Sequence, residues 1–294
     1  MIDGAAGRPA GRPDGRRLVA SALVTPATVV VSVGLLLPIA ILFRYSLNRF
    51  VPGQFMVEAV TAENYVKFLT DPFYGAVLLR TLRVAGVCTA LCLVMGFPTA
   101  YLLARTRSRF KNLLVMLVVL PLFVGNAVRA AGWMVMFGSK GLLNTLLLGL
   151  GLADRPLVIM YTETAVVVGI TAVNLPFMVL TLQSVIEGID PALEEAALSL
   201  GAGPGKTLRR VILPLAMPGV LAGTILVFIL GMNAYATPVL LGGPRFQMMG
   251  PLVYGQFAGL SNWPFGAALS FVLMAATLSL TVVANVLVQR RYRR

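Results

Sequence analysis

Long stretches without a single charged side chain constrain the fold of this chain more than any other feature. They cover Leu18–Phe43, Val84–Ala104, Asn112–Ser139 with Arg129 as its one interruption, Thr164–Ile186, Val211–Pro244 and Phe246–Gln289. Charged residues make up 12% of the chain, whereas a typical soluble domain has about 25%. Because an α-helix needs about 20 apolar residues to cross a bilayer core, we predict an all-α, polytopic membrane protein.

The lengths of these runs predict six transmembrane helices. We place them near residues 18–43, 78–104, 113–137, 160–183, 212–234 and 267–289. The last two runs are each longer than one span. Their excess, about Ala236–Gly266, is rich in Gly and Pro, and we expect it to form an outer loop with an interfacial Trp263. A second long outer loop is expected at residues 44–77.

The positive charge of the chain, formally +13, follows the predicted spans. Fifteen of the 24 basic residues fall on one side of an alternating six-span arrangement. They are Arg8, Arg12, Arg16 and Arg17; Arg105, Arg107, Arg109 and Lys111; Lys206, Arg209 and Arg210; and Arg290, Arg291, Arg293 and Arg294. The positive-inside rule then places both termini in the cytoplasm. The charge therefore indicates topology and not binding to nucleic acid.

The two ends of the chain lie outside the predicted membrane domain, which covers 18–289. The first apolar run is too long for a signal-peptide core of about 7–15 residues, so we expect an uncleaved first span. Residues 1–17 are rich in Gly, Pro and Arg and are predicted to be a disordered cytoplasmic segment. Residues 290–294 are predicted to be a basic cytoplasmic tail.

Residues capable of catalysis or metal binding are scarce. The chain has no His, and its two Cys residues, Cys88 and Cys92, share a face of the second span. No pair of acidic residues lies deep in a span, so we predict neither a catalytic set nor a metal site. The segment Gly201–Thr207 looks like a phosphate-binding loop, but Leu200 stands where that motif needs its first Gly, and the segment follows a helix. Any ATP is expected on another chain.

The cytoplasmic loop 187–214 predicts a short helix. Asp190 can cap it, and Pro191 suits its first turn. Glu194 and Glu195 lie near its positive end. The helix has one apolar face, formed by Leu193, Ala196, Ala197 and Leu200. Gly201 is placed to end the helix in a left-handed conformation.

The residues after this loop predict a bent and closely packed fifth span. Pro214 and Pro218 are expected to bend its entry. Gly219 and Gly223 form a small-xxx-small face that suits close helix packing.

The spacing within the loop resembles the signature of binding-protein-dependent ABC importer permeases. Glu195-Ala196-Ala197 is followed after three residues by Gly201, and after nine more by Val211-Ile212-Leu213-Pro214. Only Val211 departs, since Ile is usual there. The resemblance implies a type I ABC importer (MetI-like) permease fold and a coupling helix seated on an ATPase. The implied coupling residues are Asp190, Glu194, Glu195, Ala196, Ala197, Gly201, Leu213 and Pro214.

Shorter segments resemble the spermidine/putrescine branch of these permeases. They are Asn64–Leu69, Asp71-Pro72, Arg129–Trp133, Leu175–Phe177, Gly242-Gly243 and Asn262–Pro264. The resemblance implies one permease subunit of a bacterial inner-membrane importer, most simply for a polyamine. It also implies a dimer of ATPase subunits that hold ATP-Mg, a second permease as a homologous heterodimer partner, and an external solute-binding protein. This chain would bind no cofactor itself.

The residues that line the solute pathway are predicted from polar groups in or near the spans. The candidates are Asn126, Arg129, Trp133, Asn174, Asn233 and Tyr235. Arg129 lies inside the third span, where an ionisable residue is a functional candidate. It can instead be a structural partner of Glu163, Asn126 or backbone carbonyls. The asparagines can equally serve as hydrogen-bonding groups between helices.

Two other functions stay open. An ABC permease for another small solute, such as an organic anion or an amino-acid-like compound, is compatible with the same loop, and Arg129 inside the pathway would favour an anion. A secondary transporter or channel is the alternative of another class, but it would often show inverted repeats or ionisable residues for ion coupling at mid-membrane.

Overall fold

Helices form almost all of the regular secondary structure in the described residues. The computed structural model describes residues 14–54 and 56–292, and side chains within residues 25–286. The helices are α1 (Asp14–Ser46), α2 (Glu63–Thr70), α3 (Pro72–Arg105), α4 (Lys111–Val119), α5 (Asn126–Phe137), α6 (Leu142–Gly149), α7 (Glu163–Glu187), α8 (Ala192–Ser199), α9 (Pro204–Thr207), α10 (Leu213–Leu215), α11 (Met217–Met232), α12 (Ala236–Gly242), α13 (Met249–Tyr254) and α14 (Trp263–Tyr292). A 3₁₀ turn covers Leu120–Phe123, and π-helical turns cover Leu208–Ile212 and Gly255–Gly259. The all-α prediction is confirmed.

The chain ends are only partly described. Residues 1–13 of the predicted disordered segment and residues 293–294 of the predicted basic tail lie outside the described residues. Helix α1 begins at Asp14 and therefore includes the last four residues of the segment 1–17. Helix α14 continues the sixth span to Tyr292.

Within the described residues, four helices are long and apolar enough to cross a membrane by themselves. They are Thr25–Ser46, Pro72–Arg105, Glu163–Glu187 and Trp263–Val286. The third and fifth predicted spans are instead bent pairs. Lys111–Phe123 meets Asn126–Gly149 at 97°, and Pro204–Leu215 meets Met217–Met232 at 69°. Counting each pair as one span gives the predicted six.

The two bends have local causes. Pro218 lies in the first turn of α11, directly after the break at Ala216, so the predicted bend at the entry to the fifth span is confirmed. The bend in the third span was not predicted. It follows Pro121, and Val124 adopts an extended conformation just before Gly125. The third span, predicted near 113–137, is therefore a bent pair of helices, and only its bend was missed.

Helices α3, α7 and α11 pack together as the centre of the molecule, with Leu182, Ile186 and Ile212 among the fully buried side chains. Glycines allow their close approach. A Cβ added at Gly223 would lie 2.7 Å from Met178 Sδ, and one at Gly96 would lie 2.9 Å from Met178 Cγ. The predicted packing role of the fifth-span glycines is confirmed. Helix α1 lies outside this centre and packs on α14, where Phe43 and Phe271 meet edge to face at 5.3 Å.

The first outer segment is held by a small polar network. Asn64 of α2 is buried and donates hydrogen bonds to the carbonyl oxygens of Ser46 (2.8 Å) and Asn48 (2.9 Å). The hydroxyls of Ser46 and Tyr65 lie 2.7 Å apart. These bonds fix α2 against the end of α1, so the segment between the first two spans is a structured surface.

The second outer segment, residues 236–266, is not a simple loop. Leu241 of α12 and Met248 are fully buried with Val166 and Ile170 of α7. The backbone N–H of Met249 donates to Thr81 Oγ1 of α3 at 2.9 Å. The segment connects the fifth and sixth spans, as expected, but it is largely helical, and apolar residues between its Gly and Pro positions pack into the bundle. Trp263, expected at the interface, is partly exposed and packs edge to face on Phe257 at 5.5 Å.

Candidate functional site

The loop that carries the signature folds as predicted around α8. Asp190 Oδ1 accepts a hydrogen bond from the backbone N–H of Ala192 at 2.9 Å, which caps the start of the helix. Gly201 has a φ of +78°, the left-handed conformation that glycine adopts without strain. The backbone N–H of Ala202 then donates to the carbonyl of Ala197 at 3.0 Å and closes the helix end. The result is a rigid two-turn helix with defined ends.

One edge of α8 is apolar and open. Leu193 and Ala196 are exposed on this edge, and Leu200 just beyond the helix is 88% exposed, whereas the exposed Leu198 lies on the other side of the helix. Ala197, predicted on the same face, is half-buried. Glu195 is exposed beside this edge and has no ion pair among the described residues. A compact apolar edge next to a free carboxylate is suited to a groove on another protein.

Glu194 points the other way and binds the chain itself. Its Oε1 accepts a hydrogen bond from Arg105 Nε at 2.6 Å, and its Oε2 accepts one from the Tyr101 hydroxyl at 2.7 Å. Sequence reasoning treated Arg105 only as a topology signal and did not single out Tyr101. Their i, i+4 spacing on the last turn of α3 was the available signal, because it places both donors on one helix face.

A second ion pair lies nearby at the cytoplasmic ends of the spans. Lys111 Nζ, at the start of α4, is 2.8 Å from Glu187 Oε1 at the end of α7. Gln183 Nε2 donates to the same oxygen at 3.1 Å. The basic loop between α3 and α4 is thus tied at both ends, to α8 through Arg105 and to α7 through Lys111.

The segment after α8 is helical. Residues Pro204–Thr207 form α9, and Thr207 Oγ1 donates to the carbonyl of Gly203 at 3.2 Å. No strand precedes it within the described part of the loop, so it has a different fold from a phosphate-binding loop. Leu213 and Pro214 follow in α10 and are not buried, whereas Ile212 is fully buried in the central core.

Three of the predicted pathway residues line one cavity. Asn126, Asn233 and Tyr235 surround a space of about 270 Å³ between α5, α7 and the chain that joins α11 to α12. A larger cavity of about 580 Å³ shares Asn233 and Tyr235 and continues past Tyr254. The rings of Tyr235 and Tyr254 lie 4.6 Å apart at 48°. Burial, and next the neighbouring Tyr254, raise the pKa of Tyr235 above its usual value.

Arg129 lies beside this cavity but does not line it. It donates to Asn126 Oδ1, one of the structural partners expected for it. Glu163, another expected partner, instead pairs with Arg83. The Nε and Nη1 atoms of Arg129 are buried without a hydrogen-bond partner among the described residues. Arg129 therefore orients Asn126, and two of its nitrogens remain able to donate hydrogen bonds.

Two of the predicted pathway residues lie in helix packing and line neither cavity. Trp133 packs against Phe137 with ring centroids 5.0 Å apart, at the edge of a core cluster. Asn174 of α7 is only 3% exposed, and its Nδ2 has no hydrogen-bond partner among the described residues.

Comparison with known proteins agrees with this architecture. The family described as “Binding-protein-dependent transport system inner membrane component” matches residues 93–294. The chain is 39% identical to the spermidine/putrescine transport system permease protein PotB of Haemophilus influenzae, over 81% of this chain and 84% of that protein. It is 40% identical to PotB of Escherichia coli K12, over 75% of this chain and 80% of that protein. The fold resembles a bacterial ABC transporter that imports the acidic polysaccharide alginate, with a TM-score of 0.74 and 19% identity, over 94% of this chain and 96% of that one.

Proposed function

The chain belongs to the binding-protein-dependent transport system inner membrane component family, and we propose that it carries a polyamine such as spermidine or putrescine into the cell as one permease subunit of an ABC importer. The observation that carries this proposal is the identity of about two residues in five to spermidine/putrescine permeases over three quarters of the chain or more. The chain is the membrane-spanning subunit and not the ATPase.

The cavities have chemistry that suits a flexible organic cation. Tyr235 and Tyr254, whose rings are in contact, offer ring faces, and the amide oxygen of Asn233 offers an acceptor, whereas Asn126 Oδ1 already accepts from Arg129. Ammonium groups bind to both kinds of group. Neither cavity has a charged residue in its described lining, so a cation would be held weakly enough to pass. Carboxylates for tighter binding would come from a second permease and from the solute-binding protein.

The division into subunits follows from the shape of this chain. Six spans provide one half of a pathway, so a homologous second permease would complete it. Two ATPase subunits would hold ATP-Mg and receive α8 through its exposed apolar edge and Glu195. This assignment places α8 and both termini in the cytoplasm of a bacterium, and it makes the structured outer segment around α2 a surface for the solute-binding protein.

Transport in a reconstituted system tests the proposal. Proteoliposomes would contain this chain with its second permease and ATPase, and would receive binding protein and labelled putrescine or spermidine with and without ATP. We expect uptake that requires both ATP and binding protein. Glu195→Lys or Gly201→Asp should abolish this uptake while the permease pair still assembles. Uptake without ATP would indicate a secondary transporter or channel.

A second solute class is favoured by one observation. Arg129 keeps two buried nitrogen donors without partners next to a cavity residue, and a guanidinium binds a carboxylate or oxyanion well. If the complex hydrolyses ATP in response to its binding protein but takes up no polyamine, organic anions are the next solutes to test.

A further inference from the structure

The cluster formed by Glu194, Arg105 and Tyr101 joins the loop helix to a membrane span, and we propose that it acts as a clamp that transmits movement of α8 to α3. Glu194 is a positioning residue in this scheme, and it does not contact the ATPase. The proposal rests on the proposed function, because it assumes that an ATPase moves α8.

The geometry commits both oxygens of one carboxylate to α3. Oε1 binds Arg105 Nε and Oε2 binds the Tyr101 hydroxyl, at 2.6 and 2.7 Å. The two donors are one helical turn apart, so the carboxylate is held at two points and cannot pivot about a single bond. Glu195 is exposed, so the two adjacent glutamates have separate roles. One faces a partner, and the other faces the permease.

Burial makes this contact stronger than an ordinary surface ion pair. The side chains of Arg105 and Glu194 are 18% and 15% exposed, whereas those of the outer pair Arg49–Glu63 are both 58% exposed. Water and salt screen a pair less when it is shielded from solvent. Loss of either partner would leave a charge in a poorly hydrated site. Separating α8 from α3 would therefore be unfavourable.

The span that receives the movement is central. Helix α3 packs on both α7 and α11, so a shift of its cytoplasmic end moves the helices that border the smaller cavity. The Lys111–Glu187 pair ties the start of α4 to the end of α7 on the same side. A displacement of α8 would thus reach three spans through the Glu194 carboxylate.

The first test measures uptake per ATP hydrolysed in the reconstituted complex. Glu194→Gln and Arg105→Gln should each lower this ratio by about five- to tenfold, as expected when coupling between sites is lost. The ratio in the double variant should be no lower than in the poorer single variant, because the two substitutions remove the same contact. Arg107→Gln is the matched control. Arg107 is exposed and has no ion pair in the described part of the chain, so the ratio should be unchanged. A normal ratio in Glu194→Gln would overturn the proposal.

The second test does not depend on the solute. Spin labels at Leu102→Cys of α3 and Ser199→Cys of α8, both exposed positions, report the distance between the two helices. The buried Cys88 and Cys92 would be replaced by Ala. We expect one narrow distance in the assembled complex with and without ATP, and a broad or nucleotide-dependent distance in Glu194→Gln. If the narrow distance persists in that variant, the clamp is not formed by Glu194. Failure of polyamine uptake alone would reject the proposed solute and leave this result intact.

Discussion

A Cβ added at Gly219 of α11 would lie 2.9 Å from the Cβ of Val185 in α7. Real Cβ atoms do not come this close, so the two helices meet at a distance that only glycine allows. Because a Cβ is fixed to the backbone, Val185 cannot relieve the contact by changing its rotamer. The spacing between the fourth and fifth spans is therefore set at this point.

Gly219→Ala is expected to destabilise the protein by about 1–3 kcal/mol through overpacking. The measurement is thermal unfolding of the permease in detergent. Gly86→Ala in α3 is the matched control, because a Cβ there has no atom within 4 Å. In a Val185→Gly background, Gly219→Ala should cost less stability than it does in the wild type, because the side chain that the new Cβ would meet is gone. Equal stability of Gly219→Ala and Gly86→Ala would show that the helices can separate freely here.

Gly201 gives a second prediction, which concerns backbone angle. At a φ of +78°, replacement by Ala should cost about 1–2 kcal/mol and distort the end of α8. ATP-dependent uptake should fall, while assembly of the permease pair is retained. Gly201→Asn should be milder, since Asn tolerates the left-handed region better than Ala. Gly203→Ala is the control, because Gly203 has a φ of −72° and open space around it. A fall in uptake with Gly203→Ala but not with Gly201→Ala would reject the angle as the cause.

The sequence predicts more of the helices than of their contacts. The first, second, fourth and sixth spans follow from uncharged runs, and Gly201 follows from its place after a short amphipathic segment. The bend at Val124 and Gly125 was missed because hydropathy shows that a segment is apolar, but not whether its helix runs straight or changes direction. The packing of Leu241 and Met248 was missed because nearby Gly and Pro residues indicated a loop. The partners of Glu194 lie about 90 positions earlier in the chain, and no local pattern identifies such a pair.

Leu200 provides a third prediction, on binding of the ATPase. At 88% exposure its side chain contributes little to the fold of the chain alone. Burial of a leucine against a partner contributes about 1.5–3 kcal/mol. Leu200→Ser should therefore weaken ATPase binding by about tenfold or more with unchanged thermal stability. Leu69→Ser in α2 is the control, because Leu69 is similarly exposed in the outer segment. Equal affinity of the two variants for the ATPase would remove Leu200 from the interface.

The contacting rings of Tyr235 and Tyr254 provide the last prediction, on solute recognition. If a polyamine ammonium group binds against the ring of Tyr235, Tyr235→Ala should raise the KM for spermidine uptake by about two- to thirtyfold, the equivalent of about 0.5–2 kcal/mol for a cation–π contact. Tyr235→Phe keeps the ring and should stay near the wild-type KM, so this pair of variants separates the ring from the hydroxyl. Steady-state uptake at several spermidine concentrations measures both. The opposite pattern, in which Phe is as poor as Ala, would assign recognition to the hydroxyl. An unchanged KM in both variants would place the polyamine path outside this cavity.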